Sequence, residues 1–258
     1  MMITAWVIGI GSGRPDHLTG EAVAAMNAVD LFLVADKGET KHDLAELRRR
    51  LCGAVITHDR YQLVEIDDPE RNRAATDYDA AVRDWHDERA TRYVETIKNQ
   101  LPDGGQVGFL VWGDPAFYDS TIRIAASLAG PDLEVDLRVI PGVSSVQLLA
   151  AAHRIVLNRI GQPVHLTTGR RLLAEYAAEL GDVLVMLDGG LACADLVPLH
   201  PELEIIWGAQ LGLPDECLVS GMLADVIEQI QQERSRIRRE RGWVLDTYLL
   251  RRPESAPI

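Results

Sequence analysis

The feature that most constrains this chain is a repeated hand-over. A short apolar run stops at glycine or a turn residue, and a helix-length segment follows. Residues 3–10 (ITAWVIGI) run apolar and meet glycines at 9 and 11. Residues 30–35 (DLFLVA), 61–66 (YQLVEI), 106–112 (QVGFLVW) and 135–140 (VDLRVI) repeat the pattern. The runs at 3–10 and 106–112, apolar on both faces, are what parallel strands buried in a sheet require. Between them, Thr19 is placed to cap a helix to about Ala28 that carries Ala22, Val23, Met26 and Val29 on one face. Helices are also expected over 43–52, 121–128 and 144–153. Residues 67–103 read as a polar loop and then one long surface helix, with a stripe of Val82, Trp85, Arg89, Tyr93 and Ile97. Strands alternating with helices predict βαβ units and a mostly parallel sheet.

After about residue 160 the texture changes. Strands are expected at 163–168, 183–187, 203–207 and 244–250, with helices at 171–179 and 222–239. The fold class is therefore α/β with two α/β domains and a binding cleft between them. The first, 1–160, holds the parallel sheet, and the second is 161–258. The length of 258 residues is ample for either core without metal or disulfide staples.

Composition excludes several classes. With 47% apolar and 25% charged residues the chain is globular, not disordered. A net charge of −13 argues against nucleic acid as a partner and against a basic membrane-surface protein. No apolar run approaches a membrane span, and Met1 to Gly11 lacks the pattern of a signal peptide. The cysteines, Cys52, Cys193 and Cys217, are odd in number and far apart, which reads as reduced thiols in the cytoplasm. The histidines show no ligand spacing, so no metal is expected. Only Lys37, Lys41 and Lys98 are lysines; every other cation is arginine, by codon usage or for gripping carboxylates.

Four segments could carry chemistry. Gly9-Ile10-Gly11-Ser12-Gly13 follows the first strand, but Arg14 stands where a dinucleotide loop needs glycine. The plainer reading is a turn that needs positive φ. Trp112-Gly113-Asp114-Pro115 ends the best buried strand, where open α/β sheets bind ligands, and is equally good material for a type I turn. Pro141-Gly142-Val143-Ser144-Ser145 ends another strand; Ser144 suits a helix cap or a polar ligand. Val183 to Asp188 reads as a core strand. There is no nucleophile elbow, zinc-protease motif or P-loop.

Taken in order, these segments resemble the tetrapyrrole methylase family. Its first motif, G-x-G-P-G-D-P-x-x-L-T, is similar to Gly9 through Thr19, with Ser12 and Arg14 as departures from proline and aspartate. Its G-D-P motif is matched at Gly113-Asp114-Pro115, and its P-G-[IV]-[TS]-S motif at Pro141 to Ser145. The strand with Met186, Trp207-Gly208-Ala209 and Pro214-Asp215-Glu216 also fit. Asp36-Lys37-Gly38-Glu39, the stretch Tyr78–Arg89 and Trp207 to Gly212 resemble the subgroup that methylates C1 of precorrin-5 with loss of acetate.

The resemblance implies S-adenosyl-L-methionine as methyl donor, S-adenosylhomocysteine as product, and a small-molecule tetrapyrrole partner. It implies a cytoplasmic homodimer in cobalamin biosynthesis. Cofactor contacts carried over are Ser12, Trp112, Gly113, Asp114, Tyr118, Ser144, Ser145, Met186, Ala209 and Met222. Deacetylation needs a base, for which Asp36 and His86 are candidates; a solvated helix histidine is the plainer reading of His86. Lys37 is a candidate for the substrate's acid groups. A polycarboxylate substrate in so acidic a protein also predicts cations gathered locally. Competing readings are a methylase acting at another ring carbon, a nicotinamide oxidoreductase using the Gly9–Gly13 loop, and a non-catalytic cofactor sensor.

Overall fold

The structure, a computed structural model, describes residues 1–36, 42–69 and 77–253. The chain divides into two compact units, Met1–Ser144 and Ser145–Ile258. That division falls earlier than the break expected after residue 160. The reason is packing: Leu149, on the helix that follows Ser144, joins Leu184, Leu211 and Leu249 in the core of the second unit.

The first unit has β1 (Met2–Gly9), β2 (Leu31–Asp36), β3 (Gln62–Asp67), β4 (Gly105–Val111) and β5 (Glu134–Ile140), with α1 (Gly20–Ala28), α2 (His42–Val55), α3 (Tyr78–Gln100) and α4 (Thr121–Ala126). The sheet order is β3-β2-β4-β1-β5 and every pairing is parallel. Side chains alternate across it, as a pleated strand demands. Ile3, Ala5 and Val7 pack with Tyr93, Ile97, Ile124 and Leu128 on one face. Ile8 and Ile10 pack with Met26, Leu51 and Cys52 on the other. Helices on both faces explain why the inner strands β1, β2 and β4 read as continuous apolar runs.

The helix starts follow local chemistry. Thr19 accepts a hydrogen bond from the Ala22 amide at 3.0 Å, the capping expected from sequence. Asp77 does the same for Ala80 at 2.8 Å and starts α3. This helix is not a surface helix throughout. Ala90, Tyr93 and Ile97 enter the core. Arg89 is only 8% exposed; its Nε lies 2.8 Å from Asp68 Oδ1, and its guanidinium stacks on Trp85.

The second unit contains α5 (Ser145–His153), β6 (Val164–Thr168), α6 (Gly169–Glu175), β7 (Asp182–Met186), β8 (Glu204–Ala209), β9 (Cys217–Met222), α7 (Leu223–Arg241) and β10 (Asp246–Arg251). Its sheet order is β6-β7-β10-β8-β9. Only β6 and β7 pair in parallel; the other pairings are antiparallel. Trp207 and Tyr248 are fully buried at its centre. Strand β9 was not expected from sequence. Helix α6 is shorter than the expected 171–179 because Tyr176 turns to extended backbone. Helix α7 ends at Gly242, whose φ of 78° is the left-handed cap that glycine supplies. Among the described residues no helix is long and apolar enough to cross a membrane.

Candidate functional site

In the first unit, β1 and β4 are neighbours, and the chain leaves them for opposite edges of the sheet, towards β2 and β5. A crevice at the carboxyl ends of such a pair is where open α/β sheets bind ligands. The loops leaving β1, β4 and β5 are fastened together there. The Gly11 amide donates to the Gly113 carbonyl at 3.2 Å, and the Gly113 amide returns the bond to Gly11 at 2.8 Å. A side chain on Gly142 would sit 2.2 Å from the Gly113 carbonyl oxygen, and one on Gly9 2.6 Å from the Gly142 amide. The three backbones thus approach closer than a Cβ at Gly9 or Gly142 allows, which is why glycine stands at those two positions.

Asp114 locks this arrangement. One carboxylate oxygen accepts from the Ala116 amide at 2.8 Å, the other from the Gly142 amide at 2.9 Å. A carboxylate has about four lone-pair positions, so further acceptance remains available. Ser12 is buried, and its Oγ shares a 2.8 Å hydrogen bond with His17 Nδ1. Gly13 lies against the Trp112 ring, where a Cβ would approach to 2.5 Å. The Arg48 guanidinium sits 5.0 Å from the Trp112 ring centroid. The Trp112 indole Nε1 is buried and has no hydrogen-bond partner among the described residues. Ser144 is buried at the end of this unit, and Tyr118 is 47% exposed.

In the second unit, Ser145 Oγ bonds to Thr247 Oγ1 at 2.9 Å. Thr247 pairs with Met186 on one side and Gly208 on the other, so Ser145, Met186 and Ala209 gather at one end of this sheet. Met222 does not join them. It pairs with Glu204, whereas Ala209 pairs with Cys217. Five residues of strand separate the two positions, about 16 Å at the usual rise.

Behind that end lies a buried ionic network. The Asp188 carboxylate accepts from Tyr248 Oη and from the Ala192 amide, and Arg234 Nε lies 2.9 Å from Asp246 Oδ2. Burial raises Asp246 to about 6, against the opposing pull of Arg234.

Backbone strain points to the same loops. Among the described residues, Tyr118, Leu187 and Gln210, along with Arg154 and Leu191 elsewhere, are non-glycine residues with φ of 51–59°. The first three are an expected site residue and the residues directly after Met186 and Ala209. Such geometry costs ~1–3 kcal/mol and collects at functional loops.

The two expected bases fare differently. Asp36 ends β2 beside Asp67, and its side chain lies outside the described residues. Lys37 lies outside them altogether. His86 is on α3, half-buried, with its ring 5.3 Å from that of Trp85. Next to Asp36, Ala35 lines a cavity of about 120 Å³ with Arg48, Arg89, Tyr93, Trp112 and Asp119 among its walls. Arg89 is paired there with Asp68, so the two guanidinium groups are accompanied by the carboxylates of Asp68 and Asp119. Sequence reasoning missed Arg48, although its signal was present: it interrupts the Leu44–Leu51 stripe of α2 at helical spacing. It missed Thr247 as well.

Thiol chemistry is disfavoured. Burial pushes the Cys52 and Cys193 thiols up to about 12, so both stay unionised near neutrality. Among the described residues no three His, Cys, Asp or Glu side chains could share a metal ion.

Residues 4–227 match the family Tetrapyrrole (Corrin/Porphyrin) Methylases. The chain is 42% identical, over 95% of its length and 94% of the relative's, to a precorrin-6A synthase [deacetylating] of a Sinorhizobium species. A crystal structure of a cobalamin-synthesis-related protein, CobF, from Corynebacterium diphtheriae superposes with a TM-score of 0.83. It is 37% identical, covering 98% of this chain and 99% of the other. A uroporphyrin-III C-methyltransferase from Thermus thermophilus, solved with S-adenosylhomocysteine, shares the fold at 17% identity. Its TM-score is 0.58, covering 96% of this chain and 97% of the other. The chain belongs to the tetrapyrrole methylase family and is a methyltransferase of that fold.

Proposed function

We propose that this protein methylates C1 of precorrin-5 from S-adenosyl-L-methionine and releases the C1 acetyl group as acetate, giving precorrin-6A. The observation that carries this reading is the 42% identity, over nearly the whole of both chains, to the deacetylating synthase. We place it in the cytoplasm as a homodimer, the family-like expectation.

The proposed cofactor residues are Ser12, Trp112, Gly113, Asp114, Tyr118 and Ser144 in the first unit, and Ser145, Met186 and Ala209 in the second. Met222 is left out because the strand register sets it apart. Their chemistry suits the donor. A sulfonium and an ammonium are cations, and this set offers a carboxylate, two aromatic rings and a thioether with no cationic side chain. Bound S-adenosylmethionine supplies a methyl group already activated for transfer, so the chain's task is orientation, which can be worth ~7–11 kcal/mol.

Acetyl loss asks more of the protein. A base must take a proton from water as the water adds to the acetyl carbon, and a donor must meet the oxyanion that forms there. Cleavage of the carbon–carbon bond then leaves its electron pair on C1, which attacks the methyl. Asp36 is the base we favour: it closes β2 at the sheet's carboxyl edge, and its neighbour Ala35 lines the cavity. His86 is not among the cavity's walls.

The test is incubation with precorrin-5 and methyl-labelled S-adenosylmethionine, followed by mass analysis of the macrocycle and assay of acetate. One methyl gained for each acetate released is expected. Methylation without acetate would place the chemistry at another ring carbon.

A further inference from the structure

Of the residues lining the cavity between β2, β4, α2, α3 and α4, only Trp112 is also a proposed cofactor contact. At about 120 Å³ it is far too small for a nucleoside or a macrocycle. Cavities of ~150 Å³ take a guest the size of benzene, so it suits a handful of heavy atoms. Its walls hold two unusual donors. The Arg48 guanidinium gives hydrogen bonds to the Leu110 and Leu44 carbonyls through Nε and Nη1. No carboxylate lies within ion-pair distance of it among the described residues. Burial pulls its pKa down to about 10, yet it stays charged at neutral pH. Arg48 is half-buried, and its two backbone bonds leave guanidinium donors to be met. The second donor belongs to Trp112, whose buried indole N–H has no acceptor among the described residues. The remaining charges are arranged around these two. Arg89 is held by Asp68, and Asp119 turns Oδ1 to the Thr121 amide at 2.6 Å.

We propose that this cavity is a small-carboxylate site, in which the Arg48 guanidinium and the Trp112 indole N–H hold a carboxylate the size of acetate or propionate. Arginine suits the task because its planar fork meets both carboxylate oxygens. The apolar walls, Leu33, Val34 and Phe109 among them, would face the short carbon tail. The cavity stands where β2 and β4 end, beside Trp112 and next to Asp36 in the chain. Two sources of such a carboxylate follow from the proposed reaction, and this part of the inference rests on that reading. One is the acetate set free at C1; the other is an acid side chain of the macrocycle.

Binding is tested first on the whole protein, without macrocycle or cofactor, by titrating carbon-13-labelled acetate and following its line width. Saturable broadening in the millimolar range is expected. Formate and propionate should compete, and benzoate should not. Arg48→Met should weaken acetate at least tenfold, and Arg48→Lys by less, since charge remains and the fork is lost. Trp112→Phe removes the N–H and keeps the ring, and serves if the Arg48 variants melt early. No saturable response in the native protein overturns the proposal. So does an undiminished response in both Arg48→Met and Trp112→Phe. Turnover assays then separate the sources. Acetate competing with the macrocycle identifies a side-chain pocket, and acetate inhibiting without that competition identifies the product's pocket. Failure to turn over precorrin-5 would count against the proposed reaction and leave the binding result standing.

Discussion

The two sheets use similar strands and present their ends differently. In the first unit all five strands run one way, so Gly9, Val111 and Ile140 hand over to loops that meet at a single edge. Three close glycine backbones and one aspartate fasten that edge. In the second unit β9 runs against β8, so a residue at the end of a strand can lie at either edge. There a buried ionic network, not close backbone contact, backs the end that holds Met186 and Ala209. The lesson is that the end of a strand locates a site only when the direction of the strand is known.

Four measurements would break or sharpen this contrast. The largest effect is expected in the second unit. Arg234→Met leaves Asp246 buried without its cation, and a broken buried pair costs about 3–5 kcal/mol. Denaturant melts should show this; a loss below about 1 kcal/mol would mean the network is not a structural brace. Next comes the first unit's glycine contact. Gly142→Ala drives a methyl into the Gly113 carbonyl, and overpacking costs about 1–3 kcal/mol even where side chains can move. Expected are a loss at the top of that range and weaker cofactor binding by calorimetry.

The third is a pH dependence. Asp246 in the folded state stays protonated up to about 6, whereas the unfolded carboxyl ionises near 4. Between those values the folded chain binds the extra proton, so this group's contribution to stability falls as pH rises. The slope is at most about 1.4 kcal/mol per pH unit. Comparing native and Asp246→Asn melts from pH 4 to 6 isolates it, and the variant should lose that downward component. The smallest effect concerns the methionines. Met186→Ala should weaken S-adenosylmethionine about fivefold, about 1 kcal/mol, and Met222→Ala should leave it unchanged. Equal losses would undo the register argument.

Much of this architecture was legible because burial writes itself into sequence. The apolar runs ending at Gly9 and Trp112 are strands covered on both faces, and Thr19 caps the helix it was expected to cap. What escaped had no such signature. Strand β9 is an edge strand of mixed exposure, with Leu218 and Ser220 facing out, so its apolar pattern is thin. The boundary at Ser144 was hidden because α5 reads as one more helix of the first pattern. The Arg48 cavity was missed because a helix arginine is ordinarily a solvated one. Only tertiary packing shows that its head lies half-buried over the Trp112 ring.

The most direct test of a reaction centred on the carboxyl edge of the first sheet is Asp36→Ala. The variant should bind S-adenosylmethionine with native affinity by calorimetry and release no acetate from precorrin-5. Full turnover with acetate release by that variant would contradict the assignment.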